Sequence, residues 1–211
     1  MLKKLLASFV GQLKADRVAE RSLATMALPE PAREGGMPLM TALSKRRSSR
    51  QFKPLPLPLP VLSSLLWAAF GVNRPETGDR TAPSALNAQE IDVYAALPNG
   101  LYLYAPKAHS LHLVAEVDAR KVTGYQDFVD VAPLDLIYVA DNAHSPAKAE
   151  DGRVYAAVSV GAIAQNVYLY AASAGLATVT RALFDRKSLN EALRLGRDEH
   201  VLLTQTVGYP R

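Results

Sequence analysis

Residues 91–117 read IDVYAALPNGLYLYAPKAHSLHLVAEV, and this stretch decides the fold class. It holds three strand candidates in a row: Ile91 to Leu97, Gly100 to Tyr104, and His109 to Val117. Asn99-Gly100 between the first two is hairpin-turn chemistry, and the connections are too short for a crossover helix. Neighbouring strands must therefore run antiparallel. Downstream, Leu134 to Ala140 is a clean apolar strand, and Val201 to Val207 a last one, with residues 176–184 a strand or loop between them. Asp127 to Val131 reads as a short helix end.

Helices precede, separate and follow these strands. Residues 61–70 read as a buried helix stopped by Gly71, and a helix runs from about Pro38 to Arg47. Val154 to Ala174, alanine-rich and apolar on nearly every side, predicts a long central or interface helix with Gly175 as its stop. Ser188 to Leu195 predicts a short helix ended by Gly196. The pattern is α+β, a mostly antiparallel sheet surrounded by helices, without the regular alternation of a doubly wound sheet.

Two segments divide the chain. Residues 1–37 read as an amphipathic helix, with Leu2, Leu5, Leu6, Phe9, Val10 and Leu13 on one face, followed by a linker at 27–38. Residues 38–211 form the main domain. Pro54, Pro56, Pro58 and Pro60 alternate with leucines, which forbids helix and predicts an extended strip. The strip reads as a buried strap, with an exposed proline-rich ligand as the alternative.

Composition removes several function classes. The 211 residues are 49% hydrophobic and 21% charged, as in a globular domain. A net charge of +4, without aromatics interleaved among the basic residues, gives no support for nucleic-acid binding. The absence of cysteine excludes disulfides, thiolate metal sites, iron–sulfur clusters and cysteine nucleophiles. No apolar run has the length of a membrane span, and Lys14, Asp16 and Arg17 interrupt any signal-peptide core. The expectation is a cytoplasmic protein without a membrane. Gly-x-Gly-x-x-Gly, Walker and Gly-x-Ser-x-Gly motifs are missing. His109 and His112 would face opposite ways on a strand, so no metal site is expected from them.

What remains is a basic cluster. Lys45, Arg46, Arg47 and Arg50 place four cations in six residues, with Ser48 and Ser49 among them. Arginine grips phosphate through paired N–H bonds and serine adds a hydroxyl donor, although a solvated basic turn has the same composition. The loop Ala82 to Gln89 precedes a strand and carries the amides Asn87 and Gln89, each a donor and an acceptor suited to the edge of a flat heterocycle. A capped turn is the plainer reading of that loop.

Taken in order, these segments resemble the nitroreductase family of flavin mononucleotide (FMN) enzymes. Arg46-Arg47-Ser48-Ser49-Arg50-Gln51-Phe52 is similar to its Arg-Arg-Ser-x-Arg-x-Phe segment, and Pro83, Ser84, Asn87 and Gln89 to its Pro-Ser-x-x-Asn-x-Gln. Leu65 to Asn73 resembles the branch that includes the SagB-type azoline dehydrogenases, and Ala174-Gly175-Leu176 and Val207-Gly208-Tyr209-Pro210 also look familial. The resemblance covers residues 39–210. It implies a dimeric, nitroreductase-like fold with FMN at the subunit interface. It implies that Arg46, Arg47, Ser48 and Arg50 contact the phosphate, ribityl chain and pyrimidine edge. Pro83, Ser84, Ala85, Asn87 and Gln89 would line the ring, in the family often from the partner subunit. Ala182 and Leu183 would present a backbone N–H to the flavin N5, where many members have Glu-Gly or Gly-Gly. Arg211 would add a phosphate contact. No acid–base triad is expected, because the flavin carries the chemistry and the protein orients and tunes it. The implied reaction moves a hydride from NADH or NADPH to a small conjugated acceptor such as a nitroaromatic or quinone. The alternatives are a flavin-binding module or specialised dehydrogenase without nitroreductase turnover, and a partner- or membrane-docking protein using residues 1–25 and the proline strip.

Overall fold

The computed structural model describes residues 22–145 and 149–211, without the side chains of residues 149 and 150. The amphipathic segment at residues 2–13 lies outside the described residues. Nine strands and four α-helices follow one another among the described residues. They are β1 (Ala24–Ala27), α1 (Leu39–Lys45), α2 (Leu59–Phe70), β2 (Val72–Arg74), β3 (Asp79–Arg80), β4 (Ile91–Leu97), β5 (Gly100–Ala105), β6 (Ser110–Ala115), β7 (Leu134–Asp141), α3 (Ala149–Ser173), β8 (Ala177–Arg181), α4 (Arg186–Leu193) and β9 (Glu199–Gly208).

Seven strands form one sheet in the order β1-β6-β5-β4-β7-β9-β8, and every neighbouring pair is antiparallel. β2 and β3 form a separate small hairpin. The fold class is the α+β one the strand run predicts. Side chains alternate across the sheet, so its two faces build two cores. On one face, Leu62, Leu65, Leu66 and Phe70 of α2 and Ala156, Val160, Ile163, Val167 and Ala171 of α3 pack on Val93, Tyr104, Leu136 and Tyr138. On the other, Leu189 and Leu193 of α4 pack on Tyr94, Ala96, Ile137, Val139 and Val201. A third, smaller cluster joins Phe52, Ala132, Ala177 and Val179, and it anchors the functional region.

The long helix is legible because its buried positions recur at helical spacing. It ends as its sequence predicts: Gly175 has φ +69°, and the Leu176 N–H reaches back to the Ala171 carbonyl at 2.8 Å. That is a left-handed stop which a side chain would resist. Asp151–Ser173 is by length and composition apolar enough to cross a bilayer. Its inward residues are instead spent on the sheet and on α2.

Several local expectations change. Ala24–Ala27, read as part of the N-terminal helix-and-linker segment, pairs with β6 as an edge strand, Ala24 opposite Leu113 and Ala27 opposite Ser110. The proline strip is not a buried strap: Leu55 is 51% exposed and only Leu57 is packed against the core. Prolines set its extended path as far as Pro58, and every residue from Pro54 to Pro60 except Leu57 is exposed. The β4–β5 turn is centred on Pro98 and Asn99, with Gly100 already paired to Leu97. Residues 127–131 form hydrogen-bonded turns and not a helix end, with Val129 N–H to the Gln126 carbonyl at 3.2 Å. α4 stops at Arg194, with φ +53°, two residues before Gly196.

Candidate functional site

The segment 46–52 lies beside β8. It leaves α1 through the Arg46 N–H, which bonds the Ala42 carbonyl at 2.8 Å, and the Ser49 N–H bonds the Thr178 carbonyl at 3.0 Å. Phe52 then bridges to Pro210, and Lys53 N–H reaches the Tyr209 carbonyl at 2.9 Å. Phe52 is the anchor. It is buried, and its ring meets Phe128 at 5.5 Å. Gly208 makes room for this crossing, because a Cβ there would sit 2.6 Å from the Pro133 ring.

Two clefts open along this segment. The first, about 510 Å³, is lined by Lys45, Arg46, Arg47 and Ser49 on one side and by Tyr168, Ala171 and Gly175–Thr178 on the other. The second, about 650 Å³, is lined by Arg50, Gln51 and Phe52, by Tyr125 to Phe128, and by Val131 and Arg211. Ion pairs occur elsewhere among the described residues, but Lys45, Arg46, Arg47, Arg50 and Arg211 enter none. A strip of uncompensated cations beside two concavities attracts an anionic ligand. The charge stays in place because the backbone, and not a counter-ion, holds the segment.

Sequence reading missed Tyr168, hidden in an apolar helix. Its phenol oxygen accepts the Thr180 N–H at 3.0 Å and lies 2.8 Å from Ser48 Oγ. The Arg46 guanidinium sits 5.2 Å from its ring centre. Burial alone would raise the phenol, but its hydrogen bonds with Ser48 and Thr180, helped by Arg46, hold it below its ordinary value of 10.

Beneath the second cleft lies a buried charge network. Arg181 Nη2 donates to Asp135 Oδ1 at 2.6 Å, and its Nη1 donates to the Thr123 carbonyl at 2.6 Å. Thr123 Oγ1 and Thr206 Oγ1 also donate to Asp135. Burial pushes the Asp135 carboxyl up to about 6, against the pull of Arg181 and the two threonines. Gly124 has to be glycine here, since a Cβ would lie 1.9 Å from Arg181 Nη1. Gln126, on the same loop, has a buried Oε1 without a hydrogen-bond partner. Ala182 and Leu183 follow Arg181 directly and are exposed.

The loop at 83–89 is built differently from the sequence reading. Its amides are used within the loop and its hairpin: Asn87 Nδ2 donates to Asp79 at 2.7 Å, Arg80 Nε to Gln89 Oε1 at 2.9 Å, and Gln89 Nε2 to the Gly78 carbonyl at 3.0 Å. Ser84 Oγ accepts the Gln89 N–H at 2.9 Å. The backbone is strained, with Leu86, Asn87 and Gln89 all at positive φ. Neither cleft is lined by a residue of this loop. The reason is geometric. Asn166 holds the loop through the Thr81 carbonyl, and Tyr168 holds Ser48. Two residues apart on α3, these anchors point about 160° apart, on nearly opposite sides of the helix. One chain therefore does not bring the two motifs together.

The histidines are structural. His109 lies in a network with Ser63 at 2.7 Å and Tyr104 at 2.9 Å, and His112 with Thr25 at 3.3 Å. A separate trio, Asp92, Asp141 and Glu199, brings carboxylate oxygens within 4.8 Å of one another at a strand end. Asp141 there accepts the Ala143 N–H and pairs with His144.

Comparison with known proteins agrees with this architecture. The Nitroreductase family model matches residues 43–209. A protein of Methanocaldococcus jannaschii assigned to the nitroreductases is 34% identical over 181 residues, covering 81% of this chain and 90% of that protein. A crystal structure from Ralstonia eutropha, also assigned to the nitroreductases, is 49% identical with a TM-score of 0.84, covering 89% of this chain and 90% of that one. A chain of the Escherichia coli microcin synthetase complex, at 18% identity, shares the fold with a TM-score of 0.69 over 97% of this chain and 94% of its own. Matched along most of its length in both sequence and fold, the chain belongs to the nitroreductase family and is an oxidoreductase.

Proposed function

We propose that the protein is a homodimeric, FMN-dependent oxidoreductase whose two flavin sites each take residues from both chains. The observation that carries this reading is the unpaired cation strip from Lys45 to Arg50, running between two clefts. Four residues of extended chain span at most roughly 14 Å. That lets one elongated ligand place an anionic end at Arg46, Arg47 and Ser48 and a heteroaromatic edge at Arg50. The second cleft suits the edge: it offers Tyr125 and Phe128 as apolar walls and a buried, unpartnered amide oxygen on Gln126. The donor set therefore fits FMN.

Each residue has a distinct task in this reading. Arg46 and Arg47 neutralise the phosphate, with Arg211 as a further cation near the strip. Arg50 faces the pyrimidine edge and favours negative charge there. Ala182 and Leu183 are exposed, and their N–H groups offer backbone donors whatever their side chains. Pro83, Ser84, Ala85, Asn87 and Gln89 reach the ring from the second copy, because α3 separates them from the arginines within one chain. Asn87 and Gln89 serve chiefly by shaping that loop, since their amides are already bonded. A second copy also has a surface to cover. Leu86 is 85% exposed, and Val154, Tyr155 and Val158 expose an apolar face on α3. When bound, FMN would supply hydride transfer between NADH or NADPH and a small conjugated acceptor such as a nitroaromatic or quinone. No side-chain acid–base triad is required.

The test is direct. The purified protein is expected to be yellow, or to take up one FMN per chain, and to oxidise NADH or NADPH when an acceptor is present. A colourless protein that takes up no FMN overturns the cofactor assignment. FMN binding without acceptor-dependent turnover leaves a flavin-carrying module instead.

A further inference from the structure

We infer that Tyr168 is a positioning residue for the phosphate end of the cofactor, holding Ser48 and Arg46 in place together; this rests on the FMN reading above. Tyr168 lines the first cleft together with Arg46, and it contacts two members of the strip, Ser48 through its oxygen and Arg46 through its ring. Neither contact is needed to close the core, whose neighbouring α3 residues Val167 and Ala171 already pack on the sheet.

The hydrogen-bond inventory gives the phenol a specific task. A phenol has one proton to donate and lone pairs to accept. The Thr180 N–H occupies one acceptor position. Thr180 Oγ1 is a poorer partner at 3.4 Å, so the phenol proton goes to Ser48 Oγ at 2.8 Å. Ser48 accepts that hydrogen bond and keeps its own proton free to donate to an anion. The exposed serine hydroxyl is thereby turned from a rotor into an oriented donor. The ring does the same for Arg46, since a guanidinium stacked on an aromatic face keeps its N–H edge available. No ion pair could hold Arg46 without cancelling the charge that the anion needs.

The experiment titrates FMN and riboflavin against flavin-free wild type, Tyr168→Phe, Tyr168→Leu, Ser48→Ala, and Ser48→Ala with Tyr168→Phe, following flavin fluorescence. Riboflavin lacks the phosphate, so the pair of ligands separates a phosphate effect from general packing. Tyr168→Phe keeps the ring and loses one hydrogen bond, so FMN is expected to bind roughly threefold to tenfold more weakly. Riboflavin should change less than about twofold by the same arithmetic. Tyr168→Leu should lose more FMN affinity, because the support of Arg46 goes too. The double variant should bind FMN no more weakly than Ser48→Ala, as expected of two groups acting as one. If Tyr168→Leu fails to fold, the nearly isosteric Tyr168→Phe decides. Unchanged FMN binding in Tyr168→Phe overturns the inference, as does an equal loss of FMN and riboflavin. Wild-type protein that binds neither flavin overturns the cofactor reading and takes this inference with it.

Discussion

Arg181 and Asp135 form a buried ion pair, Nη2 to Oδ1 at 2.6 Å, directly before the exposed Ala182 and Leu183. The pair ties β8 to β7 and, through the Thr123 carbonyl, to the loop that walls the second cleft. Arg181→Met removes the cation and leaves the carboxylate buried. Breaking such a pair from one side costs about 3–5 kcal/mol. The pH dependence has a definite sign. Burial already holds Asp135 up to about 6, above its ordinary 3.8. Losing the Arg181 attraction raises it further. The native state of the variant then binds a proton that the unfolded chain releases, so its stability falls as pH rises from about 4 through the native value. Urea midpoints of wild type and variant should run parallel from pH 4 to about pH 6 and diverge from there to pH 8. A gap that is constant across that range counts against the assigned network.

His109 gives an opposite slope. Ser63 Oγ donates its one proton to the Pro29 carbonyl at 2.5 Å, so His109 Nε2 must donate to Ser63, at 2.7 Å. Nδ1 is then the acceptor for Tyr104 Oη at 2.9 Å. The neutral ring satisfies every partner. Burial is the first cause that holds His109 below its ordinary 6.5, and it also lowers His112 and His200. The unfolded chain binds protons that the native chain resists, so stability is lost as pH falls through 6.5. The urea midpoint should fall from pH 7.5 to pH 5.5, and more shallowly in His109→Gln. An unchanged slope in the variant would place the effect on the other histidines.

Arg46→Ala combined with Arg50→Ala is expected to yield folded protein without flavin. Both side chains are unpaired among the described residues, so their loss breaks no internal contact except the stacking of Arg46 on Tyr168. The measurements are the thermal midpoint and the absorbance at flavin wavelengths after gel filtration. Full retention of FMN would reduce the cluster to a solvated basic turn.

Most of the architecture was legible in the residues, and the exceptions share a cause. β4 to β7, α2 and α3 are long and periodic, so their own sequences carry them. β1 has four residues, and pairing with β6 makes it a strand. The proline strip is extended only as far as Pro58, since Pro60 is tolerated in the first turn of α2, and it is exposed rather than buried, because proline dictates backbone direction and not which side faces the core. The basic cluster is visible in sequence because its cations are neighbours in the chain. Tyr168 is not, since its partners Ser48 and Thr180 lie far from it in the chain. Asn87 and Gln89 were recognisable as polar, but their bonds to Asp79, Arg80 and Gly78 depend on a hairpin that only the folded loop shows. For α4, hydrogen bonds from Arg194 close the last turn early, and the sequence cue at Gly196 came too late.

Leu183 is the sharpest departure from the Glu-Gly or Gly-Gly that the family resemblance implies, and it is 63% exposed. In the proposed site its side chain stands beside the flavin N5 and narrows the space for an acceptor. Leu183→Gly should leave FMN affinity unchanged while lowering KM for bulky quinones more than for small ones. One methylene in a pocket is worth roughly 10- to 200-fold in kcat/KM. Equal effects on large and small acceptors would move the selectivity elsewhere.

The separation of the two motifs by α3 makes the strongest prediction about assembly. If each site combines the arginine strip of one copy with the 83–89 loop of the other, two different defects can complement. Arg46→Ala with Arg50→Ala destroys the strip, and Ala85→Trp blocks the loop without touching the bonds of Asn87 and Gln89. Each homodimer then has two damaged sites. A mixed dimer concentrates both defects in one site and leaves the other intact. Co-expression with two affinity tags should recover dimers carrying about one flavin per pair, with activity that neither parent has; the ratio is set by C2 symmetry. If the strip and the loop served the same site within one chain, mixing would restore nothing. Tandem-purified mixed dimers without flavin would thus return the loop to its own chain and refute the shared site.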